Sequence, residues 1–213
     1  MLTRRLIIPL AGIAAVWPLA IRPAGAQRPD GPAVEGGASA REVDAGDVWE
    51  ALRQGRAAAV MRHATAPGVS DPAGYRLDDC ATQRNLSDEG RTQARAIGDA
   101  FRAHGVTEAT VMSSAWCRAR ETAELLGLGD VRREPALDSF FNERMEGPAR
   151  TAAVRALLAA WRDGPLVCVT HQVNITSLTS LFPAQGELMV VETGGSAEGV
   201  AGLSPRVLGR IRV

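Results

Sequence analysis

The chain contains no lysine: every one of its 24 basic residues is arginine. That absence eliminates a lysine Schiff base and the lysine of a phosphate-binding loop. Histidine is scarce too, with only His63, His104 and His171. No cluster of cysteine and histidine has ligand spacing, which speaks against a zinc site. Charge of either sign is also not in excess. The formal net charge is zero, so nothing suggests general nucleic-acid binding.

What is present is an ordinary globular composition, 46% apolar and 23% charged over 213 residues, enough for one domain with a full core. The N-terminus reads as an export signal. Arg4 and Arg5 precede an apolar stretch, Leu6–Ile21, that falls short of the roughly 18 residues that argue a membrane span and is broken by Pro9 and Pro18. Ala24-Gly25-Ala26 supplies a small-x-small cleavage site, and Thr3-Arg4-Arg5 partly matches a twin-arginine signal. Residues 1–26 are therefore expected to be a signal peptide, with an uncleaved anchor helix as the alternative. Cleavage removes three arginines and no acid, leaving 21 basic against 24 acidic residues. The mature protein is expected in the periplasm or outside the cell, with no stable membrane span. Of three cysteines, Cys168 lies in a strongly apolar run and reads as a buried thiol. Cys80 and Cys117 both fall near the candidate site, and a disulfide between them is expected in an oxidising compartment.

Residues 27–45, rich in Gly, Ala and Pro, read as a flexible lead-in to a domain over 46–213. From there helix and strand signals alternate. Helices are expected over Asp47–Gln54, from Ser87 to about Arg102, over Ala115–Leu126, around the stripe Val154, Leu157, Leu158 and Trp161, and over Val173–Leu181. Strands are expected at Ala57–Met61, Ala109–Ser113, Val131–Glu134, Leu166–Thr170, Glu187–Glu192 and Arg206–Val213. Residues 64–86 and 135–148 are long irregular stretches, the kind that carry function or disorder. The alternation predicts an α/β fold, a three-layer α/β/α sandwich around a mostly parallel sheet.

Three strand ends carry cations: Arg62-His63, Ser113–Arg118 and Thr170-His171. In parallel α/β sheets ligands bind beyond the carboxyl ends of the strands, so these segments are expected to converge. Arg118 and Arg120 stand at the start of a helix, where a cation is unfavourable by about 0.3–1 kcal/mol. A bound anion would reverse this, with free backbone N–H groups and guanidinium groups directed at it. The ordinary alternative is an exposed Arg120 and an Arg118 paired with an acid. A histidine beside an arginine is kept neutral and nucleophilic by the neighbouring charge. His171, next to a dianion, would stay protonated and donate.

Four blocks in order now carry a resemblance. They are Arg62-His63-Ala64, the segment Leu86-Ser87-Asp88-Glu89-Gly90-Arg91-Thr92-Gln93-Ala94, the segment Ser113-Ser114-Ala115-Trp116-Cys117-Arg118-Ala119-Arg120-Glu121-Thr122-Ala123, and Val169-Thr170-His171-Gln172. The chain resembles the histidine phosphatase superfamily, the group that includes the cofactor-dependent phosphoglycerate mutases. The resemblance implies a phosphoglycerate mutase-like fold and His63 as the phosphorus nucleophile, with a phosphohistidine intermediate hydrolysed by water. Arg62, Arg118 and His171 would complete the phosphate pocket, with no metal or other cofactor. The general acid would be a carboxylate among Asp138, Glu143 and Glu146, with Glu143 favoured. Arg84 and Asn85 stand where they can reach a substrate phosphate. Ala64 and Gln172 depart from the family pattern of glycine at both positions, and are expected to narrow or reshape the pocket.

The expected activity is hydrolysis of a small phosphomonoester outside the cytoplasm. The small exported branch of the family includes proteins similar to phosphatases of lipopolysaccharide core heptose phosphate, which suggests a cell-envelope sugar phosphate as substrate. A non-catalytic phosphate-binding module, a mutase and a phosphohistidine-protein phosphatase are the alternatives.

Overall fold

A computed structural model describes residues 45–194 and 204–213. The expected signal peptide and nearly all of the lead-in lie outside the described residues.

Side-chain alternation along two apolar strands sets the layers. In β1 (Ala57–Arg62), Ala57, Ala59 and Met61 face one core, and Ala58 and Val60 the other. In β4 (Leu166–Thr170), Val167 and Val169 join the first core and Leu166 and Cys168 the second. Helices α1 (Ala45–Arg53), α2 (Asp88–Ala103) and α3 (Cys117–Leu126) cover the first core through residues such as Leu52, Phe101 and Leu126. Helices α4 (Gly147–Ala160) and α5 (Gln172–Thr179) cover the second through Val154, Leu158, Ile175 and Leu178. The result is the three-layer α/β/α sandwich.

The remaining strands are β2 (Thr110–Ser113), β3 (Val131–Arg133), β5 (Leu188–Glu192) and β6 (Val207–Ile211). The sheet order is β3-β2-β4-β1-β5-β6. β3, β2, β4 and β1 run parallel; β5 pairs antiparallel with β1, and β6 antiparallel with β5. The neighbours β2, β4 and β1 end in register: Arg62 lies opposite Thr170, and Ser113 opposite Val169. The next residues continue the ladder, with His63 N donating to Thr170 O at 3.0 Å and Ser114 N to Val169 O at 3.2 Å. Three strand ends that are far apart in sequence thus become one edge.

Two devices fix the chain just after His63. Ser87 caps α2, its hydroxyl accepting from Gly90 N at 3.1 Å, a contact typically worth about 1 kcal/mol. At Gly90 a Cβ would sit 2.0 Å from Thr65 O, so only glycine lets the helix pass against that loop. Gln93, one turn on, accepts from both Thr65 N and Thr65 Oγ1. The second device is Glu187. Its buried carboxylate accepts from Arg210 Nε and Arg212 Nε, each at 2.8 Å, and from Ala184 N at 2.7 Å. Burial pushes this carboxyl up, but the hydrogen bonds from Arg210, Arg212 and Ala184 more than offset it and bring its pKa to about 2. Its backbone carbonyl accepts from Arg62 N at 3.1 Å.

Candidate active site

His63 is 2% exposed. Its Nδ1 lies 2.8 Å from Ala64 O. A carbonyl can only accept, so the network assigns the proton to Nδ1 and leaves a lone pair on Nε2. Arg118 Nε approaches that Nε2 at 3.3 Å. Burial, and then the charge of Arg118, hold the His63 pKa well below 6.5; the Ala64 carbonyl opposes this, while Arg84 and Arg62 add to it. His63 is therefore a neutral imidazole whose unprotonated Nε2 faces cations and accepts a long contact from Arg118 Nε, the neutral state that the sequence predicts for a nucleophile.

His171 begins α5, buried, with its ring centroid 5.5 Å from that of His63. Its Nε2 lies 2.7 Å from Ser114 Oγ. Burial first, then Arg118 and His63, hold its pKa well below 6.5 as well. The expected protonated His171 would therefore need a bound anion to offset the surrounding positive charge.

Three guanidinium groups share this cleft. Arg62 Nη1 donates to Pro183 O at 3.1 Å and Arg84 Nη1 to Ala66 O at 2.6 Å, yet the Nε of each is buried without a partner. Burial, ahead of the charge of Arg118, lowers the Arg84 pKa to about 10. Arg118 is buried and pairs with Asp71, Nη1 to Oδ1 at 2.8 Å. The acids lining the cleft are Asp71 and Glu143, against Arg62, Arg84 and Arg118. Positive charge is in excess among the groups lining the cleft, a setting that suits an oxyanion.

Asp71 is the residue that sequence reasoning missed. It also accepts from Arg84 N at 2.9 Å and, through its second oxygen, from Trp116 Nε1 at 3.1 Å. One carboxylate thus joins the loop after β1, the Arg84 segment and the start of α3. No periodicity marks it; the only signal is an acid before Pro72 in a long loop.

The start of α3 differs from expectation. The helix begins at Cys117, and two of the N–H groups at its mouth are occupied: Ala115 N donates to Asp138 Oδ1 at 2.7 Å and Cys117 N to Gln83 Oε1 at 3.0 Å. These two anchor loops and are not free for an anion. Asp138, also paired with Arg133, is consequently structural. Arg120 lies over sulfur, Nη2 being 3.3 Å from Cys80 Sγ.

The other expected residues divide. Cys80 and Cys117 are joined as a disulfide with Cα atoms 5.7 Å apart, which ties the loop to α3 one residue before Arg118. Cys168 is a free, buried thiol, pushed up to about 12 by burial. Glu143 lines the cleft at its exposed mouth and pairs with Arg150 at 3.2 Å. Glu146 is exposed in the helical turn Arg144–Glu146. Asn85 does not line the cleft: its amide donates to Cys80 O and Gln83 O and braces the disulfide-bearing turn. The Ala64 methyl is buried with Ala66, Leu86 and Ala94 rather than in the cleft, so it does not narrow the pocket. Gln172 does line the cleft, and its amide donates to Thr176 Oγ1. His104 caps the end of α2 and stacks on Trp49 with ring centroids 4.2 Å apart. Among the described residues no group of three or more His, Cys, Asp or Glu side chains is placed to hold a metal ion.

The family model of the histidine phosphatase superfamily, branch 1, matches residues 59–165, half of the chain. The chain belongs to the histidine phosphatase superfamily. Among solved structures it is similar to the SixA protein of Nakamurella multipartitia, assigned as a phosphohistidine phosphatase: 22% identity, 73% of this chain, 96% of that one, TM-score 0.50. It is also similar to mycobacterial hydrolase 1, at 17% identity over 71% of this chain and 96% of that one, TM-score 0.50. No curated protein matches the sequence. At these identities the likeness is one of fold. Membership of the histidine phosphatase superfamily supports phosphatase activity, and the strand-end histidines and arginines occupy the place where such a fold binds its ligand.

Proposed function

We propose that this protein is an exported phosphatase that hydrolyses a small phosphomonoester through a phosphohistidine intermediate on His63 and needs no metal. The observation that carries the reading is a buried, neutral His63 whose Nε2 lone pair meets only a long contact from Arg118 Nε, in a cleft lined by Arg62, Arg84 and Arg118. Nε2 attacks phosphorus and the ester P–O bond breaks. The departing oxygen takes a proton, with Glu143 at the cleft mouth as the candidate donor. Water then attacks the phosphorylated imidazole, the P–N bond breaks, and inorganic phosphate leaves with Nε2 restored. Charge on the transferring phosphoryl group is met by Arg62, Arg84, Arg118 and a protonated His171, so fixed cations fill the part that a metal plays elsewhere.

Acid-quenched reaction with a labelled phosphomonoester tests the reading. Acid-labile label on the wild type, absent from His63→Ala, and turnover that survives dialysis against chelator are expected. Tight phosphate binding with no turnover and no label would favour a binding module instead. Export rests on residues 1–26 and is tested by N-terminal sequencing of the protein recovered from the periplasm, with Gln27 as the expected first residue. That location would bring the site to cell-envelope sugar phosphates.

A further inference from the structure

The cleft around His63 has an outer wall that phosphoryl transfer does not use. Six large apolar residues are exposed among the described residues, and three of them, Val69, Phe141 and Phe182, line this cleft. They come from the loop after β1, the stretch before α4 and the turn before β5, so no single exposed face accounts for them. Val69 is 84% exposed and Phe182 67%. Single exposed apolar side chains are ordinary; three converging from separate segments on one cationic cleft form a patch. Two of the polar groups beside them are engaged within the protein: Ser139 Oγ accepts from Phe141 N at 3.3 Å, and the Gln172 amide donates to Thr176 Oγ1 at 2.9 Å. The cleft has a volume of about 220 Å³, more than a phosphoryl group fills.

We infer that this wall is a leaving-group subsite, and that the preferred substrates are phosphomonoesters whose alcohol carries an apolar chain or ring close to the ester oxygen. The inference rests on the phosphatase reading above. A free sugar phosphate presents hydroxyl groups where Val69, Phe141 and Phe182 present carbon. An envelope sugar phosphate suits the site when an apolar group accompanies it.

The test compares kcat/KM for hexyl phosphate and glycerol 3-phosphate, two primary alkyl esters with leaving groups of similar basicity. Wild type is expected to favour hexyl phosphate by roughly 5- to 50-fold, from the transfer of its methylenes out of water. Phe182→Ser and Phe141→Ser should each remove roughly 3- to 10-fold of that preference, mainly through KM, and leave glycerol 3-phosphate within about twofold. Both positions are partly in solvent, so the variants should fold as wild type does. Equal use of the two esters, or variants that slow both alike, would overturn the subsite while the phosphatase reading stands. Turnover of neither ester, with no label on His63, would overturn both.

Discussion

Arg118 places its Nε 3.3 Å from the Nε2 of His63. The same planar group holds Asp71 through Nη1 at 2.8 Å. A carboxylate on one loop therefore aims a cation from another element at the nucleophile. Arg118→Ala should lower kcat by roughly 10²–10³-fold, the usual cost of losing one charge-stabilising donor. Arg118→Lys should recover little, because an ammonium cannot present two donors in a fixed fork. Steady-state kinetics decide, and a loss under tenfold would mean that this charge does not face the transferring group.

Asp71→Ala should destabilise the fold by about 3–5 kcal/mol, the cost of leaving a buried charge without its partner. Asp71→Asn keeps an acceptor and should cost less. Inorganic phosphate should raise the urea midpoint of Asp71→Asn more than that of wild type, since the anion replaces the lost counter-charge. Equal stabilisation of the two proteins would separate Asp71 from the anion seat.

The two buried histidines set an acid limit to stability. Both are held well below 6.5 in the folded protein. The unfolded chain takes up protons at both residues as pH falls through 6.5, whereas the folded chain does not. Unfolding free energy should then decline below pH 6.5, down to the lowered folded values, with a slope approaching roughly 2.7 kcal/mol per pH unit. Urea titrations between pH 7.5 and 5.5 measure it, and the paired change His63→Gln with His171→Gln should flatten the profile. A flat wild-type profile would show that both rings protonate in the folded state.

The disulfide joins residues 37 apart. Closing a loop of that size is expected to contribute roughly 3–4 kcal/mol by restricting the unfolded chain. Cys80→Ser should lower the denaturation midpoint accordingly. It should also lower kcat, because the tethered segments carry Arg84 and Arg118, which face the transferring group. Thiol titration of the unfolded protein should count one thiol without reductant and three with it.

Much of this was legible in the sequence. Apolar runs at Ala57–Met61 and Leu166–Thr170 fixed the central strands, because a strand buried on both faces has no polar positions. Ser87 announced a helix, since a hydroxyl before two acids is a cap. His63, Arg62, Arg118 and His171 stood out because they fall in ordered blocks that resemble one family; a cation at a strand end is not unusual by itself, and Arg118 does pair with an acid, Asp71. Asp71 did not, because its value comes from three partners 13 to 47 residues away in sequence. Asn85 looked like a ligand by proximity to Arg84, but neighbouring residues in an irregular loop point in different directions. The occupied N–H groups at the start of α3 were equally hidden, since Gln83 and Asp138 reach them only after the loops fold back. The reversed direction of β5 is a matter of chain return and leaves no mark in composition.

Glu187 links the last strand to the chemistry without approaching the cleft floor. Its carboxylate holds Arg210 and Arg212, while its backbone carbonyl receives Arg62 N and the adjacent Gly186 N lies against Arg62 O and His63 O. The C-terminal strand is thus the far end of a brace whose near end sets the Arg62-His63 peptide. Shortening the chain before Arg210, or fusing a tag that draws this strand away, should blunt catalysis at a distance. A preparation that looks folded and binds phosphate weakly would have its fault at the end of the chain rather than in the cleft.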